Sequence, residues 1–316
     1  MKKILVTGAS GFIGSALCSE LVKSDFIVCG IGRNLDNSLH NSGYEYVSIG
    51  DINSQTNWKN ILEKVDCIIH CAGRAHKMSE NKELDLYHLV NTKGTIRLAE
   101  EAVKAGVKRL IFLSSAKVNG ESTGKINNKE IFTNKDKPEP QDSYSISKLQ
   151  AEEALWEISA KKGLEVTVIR LTLVYGKEVK GNLKKLIKLV KLGIPLPLSM
   201  VKNQRSMIGI DNLINLLIRC IDHPQACGKT FLVSDGEDLS TPKLINYIAT
   251  SMGLKARLFP VPLTILKFLG FIFGKQKEVN RLTGSLRVDN NHTQKVLNWT
   301  PPLSVEEGIR RMVKRK

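Results

Sequence analysis

The stretch Val6-Thr7-Gly8-Ala9-Ser10-Gly11-Phe12-Ile13-Gly14 decides the fold. It joins an apolar, β-branched run at 3–7 to a pattern in which Phe12, Ile13, Ala16, Leu17 and Leu21 recur every three or four residues. That order predicts a strand, a tight glycine turn and a helix. In this spacing Gly8 permits the turn, Gly11 lets backbone approach a diphosphate, and Gly14 lets helix pack close to strand. Phe12 and Ile13 open the helix, where free N–H donors and positive potential favour an anion. An unliganded glycine turn has no need of this order, so the loop reads as a dinucleotide cradle.

Further apolar runs follow at 26–31, 45–49, 67–70, 109–113 and 166–171, separated by helical patterns such as Ile96, Leu98, Ala99, Ala102 and Val103. Near-continuous apolar strands suit a parallel sheet covered on both faces. Their alternation with helices predicts an α/β, Rossmann-type doubly wound sheet. After Tyr175 prolines cluster and helical patterns predominate. The reading is therefore a dinucleotide-binding domain over 1–174, with 207–235 returning to it, and a smaller, mainly helical substrate domain over 175–316.

Forty-seven Lys and Arg against 31 Asp and Glu give a formal charge of +16. Nucleic acid is set aside as a partner, because aromatics are only 6% and do not interleave with the bases. The densest basic segment, 177–191, carries Leu183, Leu186, Ile187 and Val190 at helical spacing, which predicts a helix with a buried apolar face and a solvated basic one. An anionic, diphosphate-bearing substrate also suits that charge. The apolar stretch 258–274 holds Lys267 and two prolines and is too short for a comfortable membrane span. It reads as a core helix or an interfacial element, with one-sided membrane contact as the lesser alternative. Six scattered cysteines without a CxxC pair fit buried thiols in a reducing compartment, and no metal site is expected. Lys2 and Lys3 are followed by no long apolar core of a signal peptide, so the expected location is cytoplasmic.

The second run ends in Ile31-Gly32-Arg33-Asn34, about twenty residues past the loop, where an acid would hold the ribose of NAD(H). Arg33 stands there instead and favours the 2′-phosphate of NADP(H). The alternative is an exposed arginine, with Asp36 serving the ribose. Asp51 and Ile52, after the third run, are placed to reach the adenine, although Asp51 could equally cap a helix.

Tyr144 is the one tyrosine of six with a lysine four places on, Lys148. On a helix that spacing turns both side chains one way. The fifth run ends at Ser114-Ser115, at the carboxyl edge of the sheet where ligands bind. A serine and a tyrosine beside a lysine can pass a proton to or from a substrate hydroxyl, if the ammonium lowers the phenol's pKa.

These residues, with His70-Cys71-Ala72-Gly73, Asn91, Arg170 and Val174-Tyr175-Gly176, resemble the extended short-chain dehydrogenase/reductases over nearly the whole chain. The resemblance implies that Ala72 and Gly73 line the cofactor, that Asn91 supports the active-site helix, and that Ser115, Tyr144 and Lys148 are catalytic. It also implies a homodimer formed through two helices of the cofactor domain. Leu171 and Lys177 depart from the prolines usual in that group's signature. Dehydratases of the group carry Asp-Glu after the serine; Ala116-Lys117 here argues against dehydration. The second half is similar to enzymes of bacterial surface-polysaccharide gene sets. By that likeness Asn182 and Arg281 are candidate diphosphate contacts, with Arg205 near the nucleotide. The leading expectation is NAD(P)-dependent reduction of a 4-keto UDP-sugar, and the alternative is 4-epimerisation of a UDP-hexose. Third stands a cofactor sensor without catalysis, which the intact Ser115–Tyr144–Lys148 set opposes.

Overall fold

The computed structural model describes residues 1–35, 43–74, 83–124 and 129–314. Seven parallel strands form the main sheet: β1 (Lys3–Thr7), β2 (Ile27–Gly32), β3 (Glu45–Ser48), β4 (Cys67–His70), β5 (Arg109–Ser115), β6 (Glu165–Leu171) and β9 (Lys229–Val233). Their spatial order is β3-β2-β1-β4-β5-β6-β9. The order reverses between β1 and β4, the place where a doubly wound sheet opens a crevice at its carboxyl edge. Two short strands, β7 (Leu173–Tyr175) and β8 (Met207–Gly209), make a separate parallel pair.

Alternate strand residues serve opposite faces. Ile4 and Val6 of β1 pack with Leu17 and Leu21 of α1 (Phe12–Lys23) on one side. Leu5 packs on the other side with Leu98 and Ala102, which lie beyond the short helix α2 (Glu83–Tyr87) on α3 (Gly94–Lys104). On that second face also lie Ala151 and Leu155 of α4 (Ser143–Lys162). Helix α4 starts on a capping box between Asp142 and Ser145 and ends at Gly163, whose φ of +73° suits a residue without Cβ.

The basic segment folds as α5 (Gly181–Lys191), with Leu183, Leu186 and Val190 buried and its lysines outward. Helix α6 (Ile210–Asp222) covers the first face of the sheet. A third apolar cluster joins α5 to α7 (Thr241–Ser251) and to the last helix, Val305–Val313. Tyr175 ties β7 into this region by donating to Asp235 Oδ2 (2.6 Å), while Asn212 donates to Asp235 Oδ1 (2.7 Å).

The apolar stretch 258–274 departs from the core-helix reading. It forms α8 (Leu263–Ile272), paired with α9 (Gln276–Thr283), and within α8 only Leu266 and Gly270 are buried. Helices α10 (Asn291–Leu297) and α11 (Val305–Val313) complete the chain. Among the described residues no helix is long and apolar enough to cross a membrane.

Candidate active site

The glycine loop is shaped by contacts that leave no room for side chains. Gly8 adopts φ +71°, and a Cβ there would lie 2.9 Å from the Ala72 nitrogen. A Cβ on Gly14 would fall 2.1 Å from the Gly8 oxygen, so helix and turn meet through bare backbone. Gly11 N–H donates to that same oxygen (2.8 Å), and Gly11 offers no side chain to cap the helix. The N–H groups of Phe12, Ile13 and Gly14 are left as the first-turn donors. This geometry fits the diphosphate of a dinucleotide. Gly14→Ala should lower cofactor affinity by more than about tenfold, since neither contacting group is a flexible side chain. A calorimetric titration matching wild type would refute this.

Behind the loop runs a hydrogen-bonded chain that the sequence reading missed. Thr95 Oγ1 donates to the Asn91 carbonyl (2.6 Å), so it accepts from His70 Nε2 (3.0 Å). His70 Nδ1 then accepts from Thr7 Oγ1 (2.6 Å), which in turn accepts from Ala72 N–H (3.1 Å). His70 is thereby fixed neutral, and burial, helped by Lys148, pushes its pKa down to about 3. The chain binds β1, the end of β4 and the Asn91 turn into one unit.

Asn91 lies in a π-helical turn, His88–Lys93, a geometry often found at functional sites. Its Oδ1 accepts from Arg74 N–H (2.8 Å), and its Nδ2 donates to Ser147 Oγ (3.0 Å) on α4. Asn91 therefore braces both the loop after β4 and the helix carrying Tyr144. Gly73 faces the same place: a Cβ there would lie 3.2 Å from Lys148 Nζ.

The structure brings Ser115, Tyr144 and Lys148 together at the carboxyl end of β5. Ser115 Oγ accepts from Lys117 N–H (3.2 Å) and is hydrogen-bonded to the Tyr144 hydroxyl. The Tyr144 ring meets Tyr87 edge-on, with centroids 6.2 Å apart. Burial raises the Tyr144 pKa to about 12, Asp142 adds to the rise, and the Ser115 hydrogen bond opposes it. Lys148 donates to the Leu113 carbonyl (2.8 Å) and lies 4.5 Å from the Phe112 ring centre. Burial lowers its pKa to about 8, while Glu152 pulls it back up. The expected depression of the phenol by Lys148 is thus not present in the free protein, because the ammonium is turned to the strand.

Glu152, also unforeseen, is buried beneath this cluster. It pairs with Arg170 through Nη2 (2.6 Å) and Nε (3.1 Å) and accepts from Ser114 Oγ. Lys117, standing where dehydratases carry a carboxylate, reaches Asp142 Oδ2 (2.7 Å) and Glu121 Oε1 (3.1 Å).

At the far end of β2, Arg33 Nη1 lies 3.5 Å from Asp51 Oδ1, both side chains about two-thirds exposed. The two adenosine-end candidates therefore meet each other. Ile52 is buried against Gly94 of α3. Asp36 lies outside the described residues. On the opposite side Arg205 Nη1 donates to the Arg281 carbonyl (2.7 Å), and burial with the neighbouring Arg281 charge depresses the Arg205 pKa. Asn182 is exposed in the first turn of α5, and among the described residues it makes no hydrogen bond to this arginine pair.

The chain is 43% identical to the UDP-glucose 4-epimerase of Vibrio cholerae over 315 residues, 98% of this chain and 94% of that protein. It is 28% identical over 272 residues to the N-acetyl-alpha-D-glucosaminyl-diphospho-ditrans,octacis-undecaprenol 4-epimerase of Escherichia coli O157:H7, covering 85% and 78% of the two chains. The fold matches the crystal structure of UDP-glucuronic acid 4-epimerase from Bacillus cereus in complex with NAD, with a TM-score of 0.78 at 22% identity over 98% and 97% of the chains. Residues 4–234 match the NAD dependent epimerase/dehydratase family, and the chain belongs to that family.

Proposed function

We propose that the protein is a UDP-hexose 4-epimerase of the UDP-glucose or UDP-N-acetylglucosamine type. The observation that carries this reading is the 43% identity, over almost the full length of both chains, to a UDP-glucose 4-epimerase. A bound nicotinamide supplies acceptance and return of hydride at C4. This chain's residues handle the proton: Tyr144 takes it from the C4 hydroxyl and gives it back to the same oxygen, and inversion follows when the opposite face of C4 is presented to hydride. Ser115 holds the C4 oxygen, its orientation fixed by Lys117 N–H. Lys148, released from the Leu113 carbonyl, supplies positive charge to the phenol. The Arg205–Arg281 pair, two adjacent cations without an acidic partner among the described residues, takes the diphosphate. Dehydration lacks a carboxylate at 116 and 117.

The test is incubation with UDP-glucose and UDP-N-acetylglucosamine, read by NMR for inversion at C4 without net consumption of NAD(P)H. Loss of NADPH absorbance on a 4-keto UDP-sugar, with no inversion, would replace this reading by the reductase.

Arg33 is what favours the reductase, because an exchanged NADPH calls for a cation at the ribose. Its exposed pairing with Asp51 contributes little and leaves it free to turn. A charged hydrogen bond to a 2′-phosphate is worth about 1.5–3 kcal/mol. Arg33→Ala should therefore weaken NADPH by about tenfold or more and change NADH less than about threefold. Equal losses for both would remove Arg33 from the cofactor site.

A further inference from the structure

Helix α8 turns its apolar side chains outward. Leu263, Ile265, Phe268, Leu269, Phe271 and Ile272 are exposed, and Phe273 follows them at 70%. Single exposed apolar residues are ordinary, but a contiguous run with three phenylalanines marks a contact surface. Its inner side is already used: Leu266 lines an apolar hollow with Leu186 and Val279, and Gly270 packs on Val279.

Cations flank the exposed run along the chain. Lys255, Arg257, Lys267, Lys275 and Lys277 are exposed, and Glu278 is the sole acidic residue between positions 239 and 288. The nearest ion pairs in sequence, Lys243–Glu237 and Arg287–Asp238, involve none of those five.

This charge selects the occupant. A second copy meeting the face across a two-fold axis would set the same cations against each other, with one acid per copy to offset them. Anionic headgroups neutralise the cations while the phenylalanines enter the acyl boundary. We infer that α8 and its basic rim dock the protein in the plane of an anionic lipid bilayer. The inference stands apart from the sugar chemistry.

The test is co-sedimentation of the full-length protein with vesicles of phosphatidylglycerol and phosphatidylcholine in equal parts, and with phosphatidylcholine alone. Binding to the anionic vesicles should be stronger by more than about tenfold and should weaken with salt. The combined variant Phe268→Ser, Phe271→Ser, Phe273→Ser should lose more than about tenfold of that binding, with an unchanged circular dichroism spectrum. Lys267→Glu, Lys275→Glu, Lys277→Glu should abolish the preference for anionic lipid. If the phenylalanine variant fails to fold, Phe271→Ser alone should still lose about threefold. No binding to either vesicle, equal binding to both, or full binding by the folded variants would overturn the inference. So would a wild-type dimer by light scattering that the phenylalanine variant converts to monomer.

Discussion

Replacing Tyr144 by phenylalanine should slow C4 inversion of a UDP-hexose by about 10²–10⁴-fold and leave cofactor affinity close to wild type. The ring stays, with its edge contact to Tyr87, and only the hydroxyl bonded to Ser115 is lost. At neutral pH a phenol raised to about 12 is protonated and a poor base. Its work depends on nearby positive charge, and Lys148 is the group of this chain placed to provide it. Lys148→Met should therefore cost at least as much as Tyr144→Phe, and Ser115→Ala, which removes one hydrogen bond, should cost less. Turnover is read from the rate of UDP-galactose formation under saturating NAD. A Tyr144→Phe protein that inverts C4 at the wild-type rate would end this assignment. A wild type that binds NAD but turns over no sugar nucleotide would return weight to a sensor.

The parts of this site legible in the sequence share one property: local order carries them. The glycine loop is nine consecutive residues between a strand and a helix, and its conformation follows from that order. Tyr144 and Lys148 are one helical turn apart, and Ser115 ends a strand whose apolar run is continuous. The apolar run of β5 stops at 113, and Ser114 and Ser115 continue the strand as buried polar residues, bonded to Glu152 and Tyr144. Strands β7 and β8 are three residues each, too short for any period to register. The Arg33–Asp51 pair and the Thr7–His70–Thr95 chain join residues far apart in sequence, which only the strand order brings together. Helix α8 shows the opposite limit. Its composition is apolar, but composition states how much surface seeks cover, and not whether the protein itself supplies that cover.

Removing the Glu152 carboxylate should destabilise the protein by about 3–5 kcal/mol, because it leaves the buried Arg170 guanidinium without its counter-ion. The Glu152 and Arg170 side chains are 1% and 7% exposed, so water cannot substitute for the lost partner. Asn119 Oδ1 keeps one bond to Arg170 Nη1 (3.0 Å), which softens the loss without neutralising the charge. Glu152→Ala should lower the urea midpoint with little change in slope. Glu152→Leu combined with Arg170→Met should recover much of that stability, since apolar side chains of similar size need no counter-ion. The same carboxylate raises the pKa of Lys148, whose ordinary value burial has already lowered to about 8. Its removal pushes that pKa lower still, so the ammonium is lost at a lower pH. The alkaline limb of the activity profile in Glu152→Ala should therefore shift to lower pH, while a purely structural role would leave its position unchanged. A destabilisation below about 1 kcal/mol would show that Arg170 finds another partner and that the pair does not hold β5, β6 and α4 together.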